Sequence, residues 1–510
     1  MSRPAGPGAE GVLGLDIGTE SARAGLFGLD GRLLAEGRAG YPTWFPEPGQ
    51  AEQDPAAVWD AVCTAVRGCL SAAPAVRPLG FSLCATAVTA ITVNGDGEPF
   101  GPALLWMDTR AAAEAAEITA TGHPSLWFTG GHVSPEWMLP KALWLRRHQP
   151  DRYARARWLV ELHDWILYRV TGRWALAAAT ASAEWGYDPH TGTWPADLLA
   201  GVGLADLPQR WPEMVLAPGE PAGAVSPAGS AATGLPPGLP VFQGLMDSFA
   251  AALACDVFQP GRAAVSLGSS SSYMALTPEP VSDPRLLGPI RDALGPGTTL
   301  MQGGQTCAAS LVRWFCTELG GGRDPAVLDA AAAGVPPGSD GIIALDTWQG
   351  SRTPFRDPHR RGAFTGLALG HGRAHLYRAL LESVAYGGRQ VTEAFGEAGA
   401  GLAELVLTGG GSGSQLWRQI HADVIGRPLL RLDQPQPAAL GAAICAAAGL
   451  GACPDLRSAA AAMSRVVPGA QPDPGNRRAY ETAFSTYQAA ARALGPPGWG
   501  APPPGSGPPG

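Results

Sequence analysis

Two carboxylates, three hydroxyl- or glycine-rich turns and one lysine stand where side chains could do chemistry, each beside a strand-like run. In D-I-G-T-E-S-A-R, Asp16 ends an apolar run and Gly18-Thr19 turn the chain, so backbone N–H groups and the hydroxyls of Thr19 and Ser21 converge beside a carboxylate. Such donors hold a phosphate and such an acid holds a hydrated Mg2+; the same letters also make an ordinary hairpin turn. The segment L-G-S-S-S-S, residues 267–272, offers similar donors without the acid, and reads either as a second phosphate clamp or as a plain Ser-rich turn. Asp247 follows the strand-like P-V-F-Q-G-L-M and opens an Ala-rich helix. It is either an N-cap or a base placed to accept a hydroxyl proton as that oxygen attacks a γ-phosphoryl group. Residues 405–417, L-V-L-T-G-G-G-S-G-S-Q-L-W, read as a buried strand, a glycine loop and a helix start, which let a backbone approach a nucleotide. The loop lacks the G-x-G-x-x-G spacing of a dinucleotide site, and the chain has no G-x-x-x-x-G-K-[ST] phosphate loop.

The elements that must carry these residues alternate between strand and helix. Residues 11–18, 22–27 and the L-L-A-E-G-R run after Asp30-Gly31 predict three strands joined by tight turns. A related strand–turn–strand pattern returns at Ala263, which suggests one unit used twice and two lobes each opening on a hairpin. Helical spacing appears over residues 55–71 (Val58, Val62, Val66, Leu70) and 373–395 (Leu376, Leu380, Val384, Val391). Together these predict α/β layers. The Pro/Gly-rich approach to residues 250–259 places the boundary there, giving domains 11–252 and 253–494 with the reactants in the cleft between them. Residues 1–10 and 495–510, rich in Pro and Gly, are expected to be disordered.

The 510 residues are 45% apolar and 16% charged, the balance of a packed protein of two or three domains. A net charge of −8 with scattered basic residues predicts neither a nucleic-acid stripe nor a membrane patch. Eight cysteines without a C-x-x-C pair read as core residues in a reducing compartment, and the N-terminus lacks a signal-peptide core, so the cytoplasm is the expected location. Lys141 is the only lysine; it is either a remnant of an Arg-biased composition or a position where an ammonium is required.

In order along the chain, these pieces resemble the FGGY family of carbohydrate kinases from about Gly11 to Leu494. Six blocks carry the resemblance: D-I-G-T-E-S-A-R at Asp16, L-L-W-M-D-T-R around Trp106, S-P-E-W-M-L-P-K ending at Lys141, G-L-M-D at Asp247, G-G-Q-T-C-A-A-S with R-W-F, and G-A-F-T-G-L with H-L-Y-R-A-L-L-E at Glu382. The resemblance implies an α/β, two-lobed actin-like ATPase (ribonuclease H-like) fold with a central interdomain cleft, ATP with Mg2+, and γ-phosphate transfer to a sugar hydroxyl. Asp247 would be the general base and, with Asp16, would place the metal. Thr19, Ser21 and Arg23 would border the polyphosphate, Gly268 and Ser269 would face them, and Gly410, Gly411 and Ser412 would lie by the adenosine.

The S-P-E-W-M-L-P-K block and the W-L-V-E-L-H-D-W that follows look most like the ribulokinase branch, which implies a pentulose such as ribulose contacted by Lys141 and Ala87. Glu136, Trp106 and Gln302 complete the candidate acceptor contacts; Trp106 also reads as a core aromatic and Glu136 as a solvated helix-start acid. Two departures stand out: Q-G-G-Q-T at Gln302 replaces the branch's E-x-G-Q-S, and Ser248-Phe249 replace the Ala-His that follows the catalytic Asp in many members. A kinase of xylulose, a tetritol or gluconate is the alternative within the family, and a catalytically idle sugar-binding regulator the alternative outside it. The expected partners are the sugar and ATP, without nucleic acid or membrane, and the chain is a candidate homodimer.

Overall fold

A computed structural model describes residues 9–495. Residues 1–8 and 496–510, which hold most of both expected disordered ends, lie outside the described residues. Ala9 and Glu10 are ordered, contrary to expectation: the Ala9 carbonyl accepts the Arg77 backbone N–H (2.9 Å) and Glu10 begins the first strand.

The chain forms two compact units. The first runs to Asp256 and also takes in Gly288–Leu300 and Gln434–Arg465; the second comprises Val257–Leu287, Met301–Asp433 and the chain from Val466 onward. Two segments that the linear reading assigns to the second domain therefore pack in the first. The physical reason for the later one is a helix of small residues, Pro437–Gly449, that lies directly on backbone. A Cβ on Gly14 would sit 1.9 Å from the Ala439 carbonyl oxygen, and one on Gly441 would sit 1.9 Å from that of Ala250. Only chains without side chains at both points can approach so closely.

In the first unit, strands β1 (Glu10–Ile17), β2 (Ser21–Phe27), β3 (Leu33–Gly40), β4 (Arg77–Ala85), β5 (Pro221–Ala224) and β6 (Pro240–Met246) form one sheet in the order β5-β6-β4-β1-β2-β3. The β1/β2 and β2/β3 pairs are antiparallel, whereas β4 runs parallel to both β1 and β6. The apolar run in β1 is wholly buried at Val12, Leu13, Leu15 and Ile17, as expected of a strand paired on both sides and covered by a helix. Helix Pro55–Ala72 packs on β2 and β3; it begins where the Asp54 carboxylate accepts the Ala56 N–H (3.0 Å) with proline at its first position.

The second unit repeats the local plan. Strand β7 (Arg262–Leu267) pairs antiparallel with β8 (Ser271–Leu276) and parallel with β10 (Glu404–Thr408), just as β1 pairs with β2 and β4. Beside them lie β9 (Thr299–Gln305), next to β8, then β11 (Leu429–Leu432) and β12 (Val466–Ala470) beyond β10. Helix Arg373–Glu397 covers this sheet with Val391 and Phe395 packed among Val265, Leu267 and Leu405. All eight cysteines are free thiols. Among the described residues no helix is long and apolar enough to cross a membrane.

Candidate active site

Parallel strands β1, β4 and β6 end at one edge of the first unit's sheet, where Ile17 and Met246 both register with Ala85. The carboxyl edge of parallel strands is where α/β sheets collect ligands, and this edge brings together two acids far apart in sequence. Asp16 sits at the end of β1 opposite Cys84, and Asp247 follows β6 as the first residue of helix Asp247–Ala254. Asp247 is therefore inside the helix rather than its N-cap; its Oδ1 accepts the Ser248 N–H at 2.6 Å. Burial pushes its carboxyl up to about 7, the nearby Asp16 charge adds to the rise, and the Ser248 N–H and Arg23 oppose it. Asp16 is also raised by burial, although Arg23, its cross-strand partner, donates from Nη1 to Oδ2 at 2.9 Å. Here loss of water outweighs one ion pair.

The turn between β1 and β2 is held from three sides. The Gly18 carbonyl accepts the Tyr41 hydroxyl, the Thr19 carbonyl accepts the Gln53 amide (2.7 Å), and the Thr19 hydroxyl accepts the Trp106 indole N–H (3.0 Å). Trp106 thus braces the phosphate-type turn. Ser21 is 1% exposed in the sheet, and its hydroxyl is buried without a hydrogen-bond partner. Arg23 remains half-exposed but is committed to Asp16. Tyr41 and Gln53 carry no motif that would single them out from sequence.

Lys141 is a correction to the sequence reading. It lies 0% exposed in helix Met138–His148, and its ammonium donates to the carbonyls of Val88 (2.7 Å), Leu104 (3.2 Å) and Leu105 (2.6 Å). An ammonium has three N–H bonds, and all three end on backbone, so none is left for a sugar. Its role is to tie the segment carrying Ala87 to the segment carrying Trp106. Burial pushes it down to about 8 against the opposing pull of Asp108, Glu136, Glu184 and Glu161. Ala87 and Glu136 are partly exposed, and Glu136 accepts the Ser134 hydroxyl at 3.2 Å.

In the second unit the turn after β7 meets the glycine loop after β10. A Cβ on Gly409, whose φ is +81°, would lie 2.9 Å from the Leu267 carbonyl carbon. Gly409 and Gly411 thereby lie against Leu267, and Gly409 against the Gly268 N–H, with Gly410 and Ser412 in the same short turn Gly410–Gly413. The carbonyls of Gly268 and Ser269 accept the Ala309 and Ala308 N–H groups, both at 2.8 Å, at the start of helix Ala309–Glu318. Gln302 donates to the Ser272 hydroxyl (3.1 Å). Gln305 takes the Ser271 hydroxyl (2.7 Å) and donates to Asp346 (2.6 Å), which also accepts Tyr487 (2.6 Å). A buried polar relay thus fixes the hairpin from behind.

Among the described residues no group of three or more His, Cys, Asp or Glu is placed to hold a metal ion. The pair Asp16 and Asp247 nevertheless suits Mg2+, which takes one or two carboxylates and completes its shell with water and phosphate oxygens.

Comparison with known proteins shows the family. Residues 11–254 match the N-terminal domain, and residues 263–450 the C-terminal domain, of the FGGY family of carbohydrate kinases. An FGGY carbohydrate kinase domain-containing protein of Danio rerio is 30% identical over 93% of this chain and 96% of its own. A ribulokinase of Geobacillus thermodenitrificans is 30% identical over 87% of this chain and 86% of its own. The crystal structure of xylulose kinase from Rhodospirillum rubrum superposes with a TM-score of 0.84 at 31% identity, covering 95% of this chain and 98% of that one. The fold is that of the actin-like ATPases, and the chain belongs to the FGGY family of carbohydrate kinases.

Proposed function

We propose that this phosphotransferase moves the γ-phosphoryl group of ATP to a hydroxyl of a free pentulose, ribulose in the first place. The observation that carries the chemistry is Asp247: a carboxyl at the end of β6, beside Asp16, held at about 7 by burial. A base with that affinity takes a proton from an attacking hydroxyl without being saturated at neutral pH. The transferred group is loosely bonded in the transition state, so the protein contributes mainly by holding the reactants in line. In the first unit the braced turn at Gly18-Thr19 offers fixed donors to a phosphate; within the second, the turn at Gly268-Ser269 offers donors of the same kind, and Gly410, Gly411 and Ser412 a close backbone surface for a nucleoside. Mg2+ supplies charge neutralisation on the polyphosphate when bound, and Asp16 and Asp247 are the residues that would hold it.

The pentulose is supported by the S-P-E-W-M-L-P-K block and by the ribulokinase relative; xylulose, named for the similar solved structure, is the second reading. An ADP-release assay over ribulose, xylulose, a tetritol and gluconate tests both. The expected result is acceptor-dependent ADP with a pentulose giving the highest kcat/KM. A tetritol or gluconate as best acceptor would overturn the pentulose. Sugar binding without ADP release from any acceptor would mark an idle regulator instead.

A further inference from the structure

Glu184 sits on a one-turn π-helix, Ala181–Trp185, continuous with the short helix Ala178–Thr180 that packs on β6, the strand leading to Asp247. The same turn packs on helix Met138–His148, which carries Lys141. Wide helical turns of this kind are rare and recur at functional sites. The Glu184 residue is partly exposed, yet its Oε2 is buried with no hydrogen-bond partner. The charges that act on it are Glu136, Lys141 and Asp247. Next to it, the Trp185 indole N–H donates to Glu161 (2.7 Å). The carboxyl groups that act on Lys141 are those of Asp108, Glu136, Glu184 and Glu161, and its own three N–H bonds all end on backbone carbonyls.

Resting on the proposed sugar-kinase reading, we infer that Glu184 is a specificity-determining residue which accepts a hydroxyl of the acceptor, and that the acceptor is an uncharged ketose or polyol rather than a sugar acid. A carboxylate-bearing acceptor would find no free ammonium at Lys141 to balance it, whereas a hydroxyl group finds an open acceptor in Glu184. The group is needed because a buried oxygen without a donor is costly until a ligand supplies one.

The test compares matched acceptors, ribulose against ribonate and fructose against gluconate, by ADP release with the full chain. Wild type is expected to favour the neutral member of each pair by about 100-fold or more in kcat/KM, as a site with unpaired polar groups discriminates. Glu184→Gln is expected to raise the KM for the neutral acceptor about 10-fold while the KM for ATP moves less than about twofold. Glu184→Lys is expected to narrow the neutral-to-acid ratio about 10-fold or more. Equal use of acid and neutral acceptors by wild type, or acceptor KM values untouched in both variants, overturns the inference while leaving the kinase reading intact. ADP release from none of the four acceptors would instead overturn the reading beneath it.

Discussion

A buried ammonium is stable only when its three hydrogens are answered, and at Lys141 they are answered by peptide carbonyls on two different segments. Lys141→Met would leave the carbonyls of Val88, Leu104 and Leu105 without this donor. The Leu105 carbonyl still accepts the Asp108 N–H (3.0 Å), so at about 1 kcal/mol for each of the other two the variant is expected to lose about 2 kcal/mol in a urea titration. Its acceptor KM is expected to rise as well, because Ala87 and Trp106 lose their tie. Lys141→Arg should recover little of either, since a planar fork cannot place three donors on that pyramid of oxygens; full recovery by Arg would show that only the charge matters. The sequence marks this residue as singular but is silent on where its hydrogens go, and so the expected sugar contact is replaced by a structural one. Glu184 is less legible still: no motif contains it, and its meaning arises only when a bent turn is laid against β6. The placement of Asp16 and Asp247 at strand ends, in contrast, was readable, because each acid closes an apolar run just where the chain changes direction.

Elements set these side chains through close backbone contacts. Gly409→Ala must place a methyl group at φ +81° and 2.9 Å from the Leu267 carbonyl carbon, a conformation that L-residues avoid. The loop after β10 should move off the turn after β7, with a KM for ATP raised about fivefold or more and an acceptor KM left alone; an unchanged KM for ATP would place the nucleotide elsewhere. The helix Gln415–Ile425 that follows carries His421, 0% exposed, with Nδ1 on the Trp417 carbonyl (2.9 Å) and Nε2 without a partner. Burial pushes this imidazole down to about 4. Because an unfolded histidine titrates near 6.5, the folded chain binds fewer protons between those values. The stability from keeping His421 neutral is complete above pH 6.5 and is lost as pH falls through 4, a span of about 3 kcal/mol. Urea titrations at pH 7 and 4 should show that loss in wild type and a smaller one in His421→Leu. Helix positions of this kind were legible as periodicity: residues 55–71 and 373–395 emerge as Pro55–Ala72 and Arg373–Glu397.

Across the molecule, the repeated hairpin was visible in the letters because both copies keep a glycine and hydroxyl residues at the turn. The assignment of residues 434–465 to the first unit was not visible, since alanine packs equally well against any backbone and P-A-A-L-G-A-A-I-C carries no address. What matters is the fit: Gly14→Ala would drive a methyl group to 1.9 Å from the Ala439 carbonyl, and is expected to destabilise the first unit by about 2 kcal/mol or more in a thermal melt. A variant as stable as wild type would show that the helix can shift away freely. The central claim, that Asp247 takes the proton of the attacking hydroxyl, is met most directly by the rate of pentulose-dependent ADP release in Asp247→Asn beside wild type. The account predicts a fall of about 1,000-fold or more in kcat, with a melting temperature equal to or above that of wild type because the repulsion with Asp16 is gone. A folded Asp247→Asn protein that releases ADP at the wild-type rate would contradict it.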